Sequence, residues 1–177
     1  MFKCIRRLVI LGLVFFAGFQ IHDTYVNVHN VLQYKTMVKE ILATNDTTAN
    51  VDLVLAMIYT ETKGSDGDVM QSSESTSGVA NSITDSQTSI RQGVTLLSKN
   101  LTLAEEKGVD VWTAVQAYNF GTAYIDYVAN HGGKSTIALA TEYSKNVVAP
   151  SLGNTTGESY FYHHPIAPIS GGKLYKN

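Results

Sequence analysis

The chain holds a single cysteine, Cys4, among its 177 residues. One thiol excludes a disulfide framework and any metal site built from several thiolates. Prolines number only 3, and no segment is of low complexity, which excludes a collagen-like or proline-rich chain. There is no excess of basic charge. The 13 Lys and Arg are outnumbered by 15 Asp and Glu, for a formal charge of −2. That balance argues against nucleic acid as the main partner, because binding a phosphate backbone needs clustered positive charge. No repeat recurs at a fixed period. What the sequence has is apolar content, 44% against 16% charged, enough to build one core of ordinary size.

The apolar residues are concentrated first at the N-terminus. Lys3, Arg6 and Arg7 precede an unbroken apolar run from Leu8 to Phe19. Basic residues ahead of about a dozen apolar ones match the pattern of an export signal. The run is short for a full membrane span, which takes about 20 residues. Ala17-Gly18-Phe19 is a poor cleavage site, so residues 1–25 are expected to be either a signal peptide or a retained membrane anchor. Positive charge on the N-terminal side places the remainder outside the cell. Cys4 lies ahead of the run, where it is no lipoprotein acceptor. A cysteine-free exported domain suits a Gram-positive wall protein. The sequons at Asn45, Asn100 and Asn154 are then read as no more than Asn/Thr-rich turns.

Residues 26–177 are expected to form one all-α domain, with at most a minor β-hairpin. Apolar residues recur at helical spacing over about 26–43. Asn50 can cap a helix over 51–62 that stops near Gly64. Residues 64–82 have neither helical nor strand period and read as a long irregular loop, the kind of segment that carries function. Thr84-Asp85-Ser86-Gln87 has capping-box spacing ahead of Ile90, Val94, Leu97 and Leu101. Asp110 can cap a helix running to about Asn119. A short helix follows over 122–129, then another from Ser135 that ends at Pro150.

The sharpest feature is Glu61. Val54, Ile58 and Glu61 lie at i, i+4 and i+7, so the carboxyl sits on the apolar face of its helix. Desolvation and the negative end of the helix dipole both favour its protonated form. A general acid working near neutral pH requires that.

Three segments now stand in order. The first is Ala56-Met57-Ile58-Tyr59-Thr60-Glu61-Thr62-Lys63-Gly64. The second is Asp68-Val69-Met70-Gln71-Ser72-Ser73-Glu74-Ser75. The third is Trp112-Thr113-Ala114-Val115-Gln116-Ala117-Tyr118-Asn119-Phe120-Gly121. Together they resemble the lysozyme-like domain of Gram-positive bacteria, the muramidase half of bifunctional wall hydrolases. That domain falls within the lytic transglycosylase and goose-type lysozyme superfamily, and the resemblance covers about residues 26–170. It implies a peptidoglycan glycosidase that cuts the β-1,4 bond between N-acetylmuramic acid and N-acetylglucosamine. In that resemblance Glu61 is the general acid, Gln71 and Met70 line the sugar cleft, Tyr118 sets its hydroxyl near Glu61 or the substrate, and Asn119 holds the cleft loop.

The chain departs from the transglycosylase pattern in two places. Glu61 is followed by Thr62 rather than Ser, and Gln71 by Ser72-Ser73 rather than an apolar residue and Pro. Inverting hydrolysis calls for a second carboxylate about 6.5–9.5 Å from the acid. Asp66, Asp68 and Glu74 are the candidates, with Asp85 weaker. With none in the cleft, attack by the sugar's own hydroxyl gives an anhydro product. His163-His164 is read as a surface pair, and no cofactor is called for. A catalytically idle wall-binding protein on the same fold is the rival expectation. Relatives of this kind carry an endopeptidase domain after a Pro-Gly linker, and none follows here. The ending at Gly171-Gly172-Lys173-Leu174-Tyr175 suggests that a last element is missing.

Overall fold

A computed structural model of the chain describes residues 2–73, 75, 78–79, 82–151, 153–154, 159–161 and 173–175. It is helical apart from one small antiparallel strand pair, as expected, and divides into two compact units, Met1–Thr95 and Leu96–Asn177.

The first unit opens with α1, Phe2–Leu32, which carries the apolar run and continues past it without a break. Its outer part exposes its side chains, among them Leu11, Phe15 and Phe19. Only its last turn is drawn into the core, through Val31. The helix expected over 26–43 is in fact two. The chain turns at Gln33-Tyr34, and α2 runs over Lys35–Ala43. Tyr34 makes the break: its N–H bonds to the Val31 carbonyl at 3.1 Å, a tighter turn than α-helical. Its hydroxyl donates to the Gly64 carbonyl and accepts from Ser86, each at 3.4 Å. The turn leaves Val28 and Leu32 exposed and buries Val38 and Ile41 of α2.

Helix α3, Val51–Thr62, starts where Asn50 accepts the N–H of Leu53 at 2.9 Å. It buries Val54, Leu55, Met57 and Ile58, and α1 and α2 both pack on it. It ends with Lys63 and Gly64 in the left-handed region, at φ 55° and 72°. Gly64 needs glycine twice over. Besides its φ, a Cβ there would lie 2.9 Å from the Asn30 carbonyl oxygen of α1. Helix α4, Ser86–Glu106, begins one residue later than a Thr84 cap would set it, because Asp85 is the cap, accepting the Thr88 N–H at 2.8 Å.

In the second unit Asp110 caps α5, Val111–Phe120, through the N–H of Thr113. Helix α6, Ala123–Ala129, follows, then α7, Ile137–Tyr143. The cap of α7 is Thr136 rather than Ser135, whose hydroxyl is engaged by Tyr124 at 2.8 Å. The chain does not run straight on to Pro150. Ser144–Val148 widens into a π-helix before a last turn, α8, Ala149–Ser151. Tyr124, Ile125, Val128 and Tyr143 form the core with Ala117, and Phe120 and Tyr127 pack around it. Asn100 is a fully buried helical residue that donates to the Ala114 carbonyl, not the turn expected of its sequon. Strands β1, Ser159–Phe161, and β2, Lys173–Tyr175, pair antiparallel. His163 and His164 lie outside the described residues.

Candidate active site

Glu61 lies in the last turn of α3, half-buried, on the side of the helix that carries the fully buried Val54 and Ile58. The loop that follows is fastened back to this turn by the next residue. The Thr62 hydroxyl donates to the Val69 carbonyl at 2.9 Å and accepts the Gly64 N–H at 3.2 Å. The hydroxyl does this work, and serine would offer the same group.

Asp68 organises the rest of the loop. Its Oδ1 accepts from the Ser72 N–H at 2.9 Å, the Ser72 hydroxyl at 3.3 Å and the Ser89 hydroxyl at 2.6 Å. Its Oδ2 accepts from the Ser73 N–H at 3.0 Å and the Ser73 hydroxyl at 2.5 Å. The residue is 1% exposed. Burial pushes its pKa up, but the bonds from Ser73, Ser89 and Ser72 together outweigh it and hold the carboxyl below the usual Asp value. Asp68 was expected as a possible water-activating base. It is instead a buried structural anion with both oxygens committed, which leaves no lone pair well placed for a water.

Met70 is likewise corrected. Its side chain is 0% exposed and belongs to the core beside Val69, so it is not positioned to touch a sugar. Its N–H bonds to the Ser89 hydroxyl at 2.9 Å, tying the loop to α4. Gln71 turns the other way. It adopts φ 49°, a left-handed conformation uncommon for a residue with a side chain, and it is exposed. Its N–H and its Nε2 both donate to the Asp68 carbonyl, at 2.9 and 3.2 Å. Strain of this kind, held by an over-determined loop, is the sort found at ligand sites.

Asp66 is exposed and accepts the Asp68 N–H at 3.2 Å. Asp85 is the helix cap described above, and the bond from Thr88 lowers its pKa. Glu74 lies outside the described residues. In the sequence Ser72 and Ser73 stand out only as a departure from the transglycosylase pattern, and Ser89 does not stand out at all. An acid four and five residues ahead of paired serines was the available signal, since short polar side chains of this spacing close local turns.

The remaining candidates belong to the second unit. Tyr118 is half-buried on α5, one turn beyond Ala114, with Ala114 and Ala117 buried on that helix. Asn119 is exposed, and its side chain forms no hydrogen bond among the described residues. Gly121 ends the helix at φ 81° and takes the Tyr124 N–H on its carbonyl at 3.1 Å.

A helical fold with a half-buried glutamate closing a core helix, and a strained loop bolted to that helix end, is the arrangement of a lysozyme-like protein. The family model for lysozyme-like proteins matches residues 28–177, and the chain belongs to that family. A protein of Streptococcus pyogenes serotype M6 named pneumococcal vaccine antigen A homolog is 68% identical over 177 residues, all of this chain and 88% of the relative. The bifunctional muramidase/DL-endopeptidase CwlT of Bacillus subtilis is 36% identical over 121 residues, 68% of this chain and 36% of CwlT. A crystal structure from Staphylococcus aureus, described as similar to lipoprotein of the NLP/P60 family, superposes with a TM-score of 0.73 at 36% identity. That match covers 83% of this chain and 48% of the staphylococcal one, so this chain spans about half its length.

Proposed function

We propose that this protein is a peptidoglycan glycosidase that works outside the cell membrane. It cleaves the β-1,4 bond between N-acetylmuramic acid and N-acetylglucosamine, with Glu61 as general acid. The observation that carries this reading is the half-buried Glu61 at the end of α3, beside a loop that Thr62 fastens to the same turn. Membership of the lysozyme-like family and the similarity to a muramidase support it.

In this reading the protonated Glu61 gives its proton to the bridging oxygen. The bond from that oxygen to C1 of the muramic acid breaks, and the N-acetylglucosamine leaves with a restored 4-hydroxyl. Positive charge develops at C1 and a water attacks it, losing a proton to a carboxylate. Asp66 is the loop acid whose exposure suits that task, and Glu74 is the other candidate. Gln71 offers its amide to the sugar, and Tyr118 its hydroxyl. Asn119, exposed at the end of α5, is the remaining cleft residue of this reading.

A second reading follows from Asp68. With that carboxylate committed to serines, attack on C1 by the muramic acid's own 6-hydroxyl, whose proton passes to the Glu61 carboxylate left by the first step, needs no second acid and yields a 1,6-anhydro end. Mass analysis of products formed in ¹⁸O-labelled water separates the two. A labelled reducing end is expected, and an anhydro end would move the assignment to a lytic transglycosylase. Glu61→Gln is expected to slow cleavage by about 10²–10⁴-fold. Wild-type rates in that variant would overturn the proposal. So would a wild-type chain that binds wall but releases no new ends, which would mark a binding protein.

The membrane enters through α1. Residues Ile5–Ala43 contain a stretch of helix long and apolar enough to cross a bilayer, and Lys3, Arg6 and Arg7 lie at its N-terminal end. With those charges inside, the lysozyme-like part is held on the outer face.

A further inference from the structure

Helix α1 is continuous from Phe2 to Leu32, so the apolar run and the folded part share one rigid rod. A bilayer core takes about 20 helical residues. Counted from Leu8, behind the arginines, the span ends near residue 27 and takes in the polar Gln20, His22 and Asp23. Counted from Ile5, with Arg6 and Arg7 reaching back to the headgroups, it ends near residue 24. Tyr25, 70% exposed, falls at the level where aromatic side chains favour the interface. The polar groups there are partly met within the helix: Thr24 donates to the Gln20 carbonyl at 2.8 Å and Asn27 to Asp23 at 3.0 Å.

The folded part begins almost at once. Val31 is 4% exposed, and Gly64 lies so close to Asn30 that a Cβ would sit 2.9 Å from its carbonyl oxygen. About four to seven helical residues therefore separate lipid from core, a height of about 6–10 Å. The element gripped by α1 at this point is the end of α3. Gly64 is three residues beyond Glu61, so the proposed acid stands in the layer next to the headgroups.

We infer that the substrate is glycan at the membrane face, strands still held at headgroup level by a lipid carrier, and not mature wall at a distance. This rests on the glycosidase reading and adds where that activity is exerted. A rod with no flexible joint cannot reach outward, and confinement to the bilayer raises the effective concentration of lipid-borne strands over free ones.

The test uses the full chain in vesicles that also carry glycan strands linked to polyprenyl pyrophosphate. A second chain carries about 18 extra helical residues between Asn27 and Val28, about five whole turns that lift the enzyme about 27 Å without rotating it. The wild type should cut the vesicle-borne strands close to their lipid end. The lifted chain should do so at least about tenfold more slowly and leave longer lipid-linked stubs. Both should cut soluble strands equally. Equal rates and equal stubs on vesicles would overturn the inference while leaving the glycosidase reading intact. A failure on soluble strands by both chains would sink the glycosidase reading itself. The geometry is checked without activity by a fluorophore at Lys63→Cys in a Cys4→Ala chain. Headgroup-level quenchers should quench it in the wild-type stalk and not in the lifted one, and an unquenched wild-type signal would refute the height.

Discussion

At Thr62 the hydroxyl holds the loop. Thr62→Ser is therefore expected to keep near-normal stability and rate. Thr62→Val, of equal size, leaves the Val69 carbonyl without its donor and should cost about 1–2 kcal/mol in thermal unfolding, with a larger relative fall in wall cleavage. Asp68 makes the opposite kind of statement. Its folded pKa is lowered, so its contribution to stability is fully present above the unfolded value of about 3.9. It is lost as pH falls through the folded value. Asp68→Asn cannot accept at both former oxygens, and the Ser72 and Ser73 N–H groups cannot turn away. We expect a loss of about 2–3 kcal/mol near neutral pH and a flatter acid limb below about pH 4, read by denaturation across pH. Glu61 was legible in the sequence because helical spacing placed it beside Val54 and Ile58. Asp68 was misread because spacing cannot tell a carboxylate facing water from one closing a turn on serines four, five and twenty-one residues away.

The helices declared themselves where a cap had no competitor. Asn50 and Asp110 each stand alone ahead of an apolar stretch, and both caps form. Where two polar residues adjoined, the folded contacts chose between them. Gly67 presses against the Thr84 carbonyl, within 2.7 Å of where a Cβ would stand, and the capping falls to Asp85. Ser135 donates its N–H to Asp110 and meets Tyr124, and the capping falls to Thr136. The turn at Tyr34 and the π-helix after Tyr143 were not legible, since each answers to distant partners. Tyr143 stands among Phe120, Tyr124 and Tyr127, with ring centres 4.9–5.7 Å away. The joint between α1 and α3 gives the sharpest test at this scale. Gly64→Ala adds both a left-handed strain and a backbone clash and should cost about 2 kcal/mol or more, read as a lowered thermal midpoint.

For the molecule as a whole, the exposed apolar length of α1 predicts its partition. The full chain should stay with membranes through high salt and alkaline washing and come away only with detergent, because burial of apolar surface is not screened by ions. Recovery in the salt wash would argue that the segment does not span. A rod that grips the end of α3 has one more consequence. Spans adapt to thick or thin bilayers by leaning, by fractions of a kcal/mol for each ångström of mismatch. With α1 as the proposed span and Glu61 as the proposed acid, a lean at this anchor is expected to pass to the end of α3, so that lipid composition tunes the angle at which the carboxyl meets a strand.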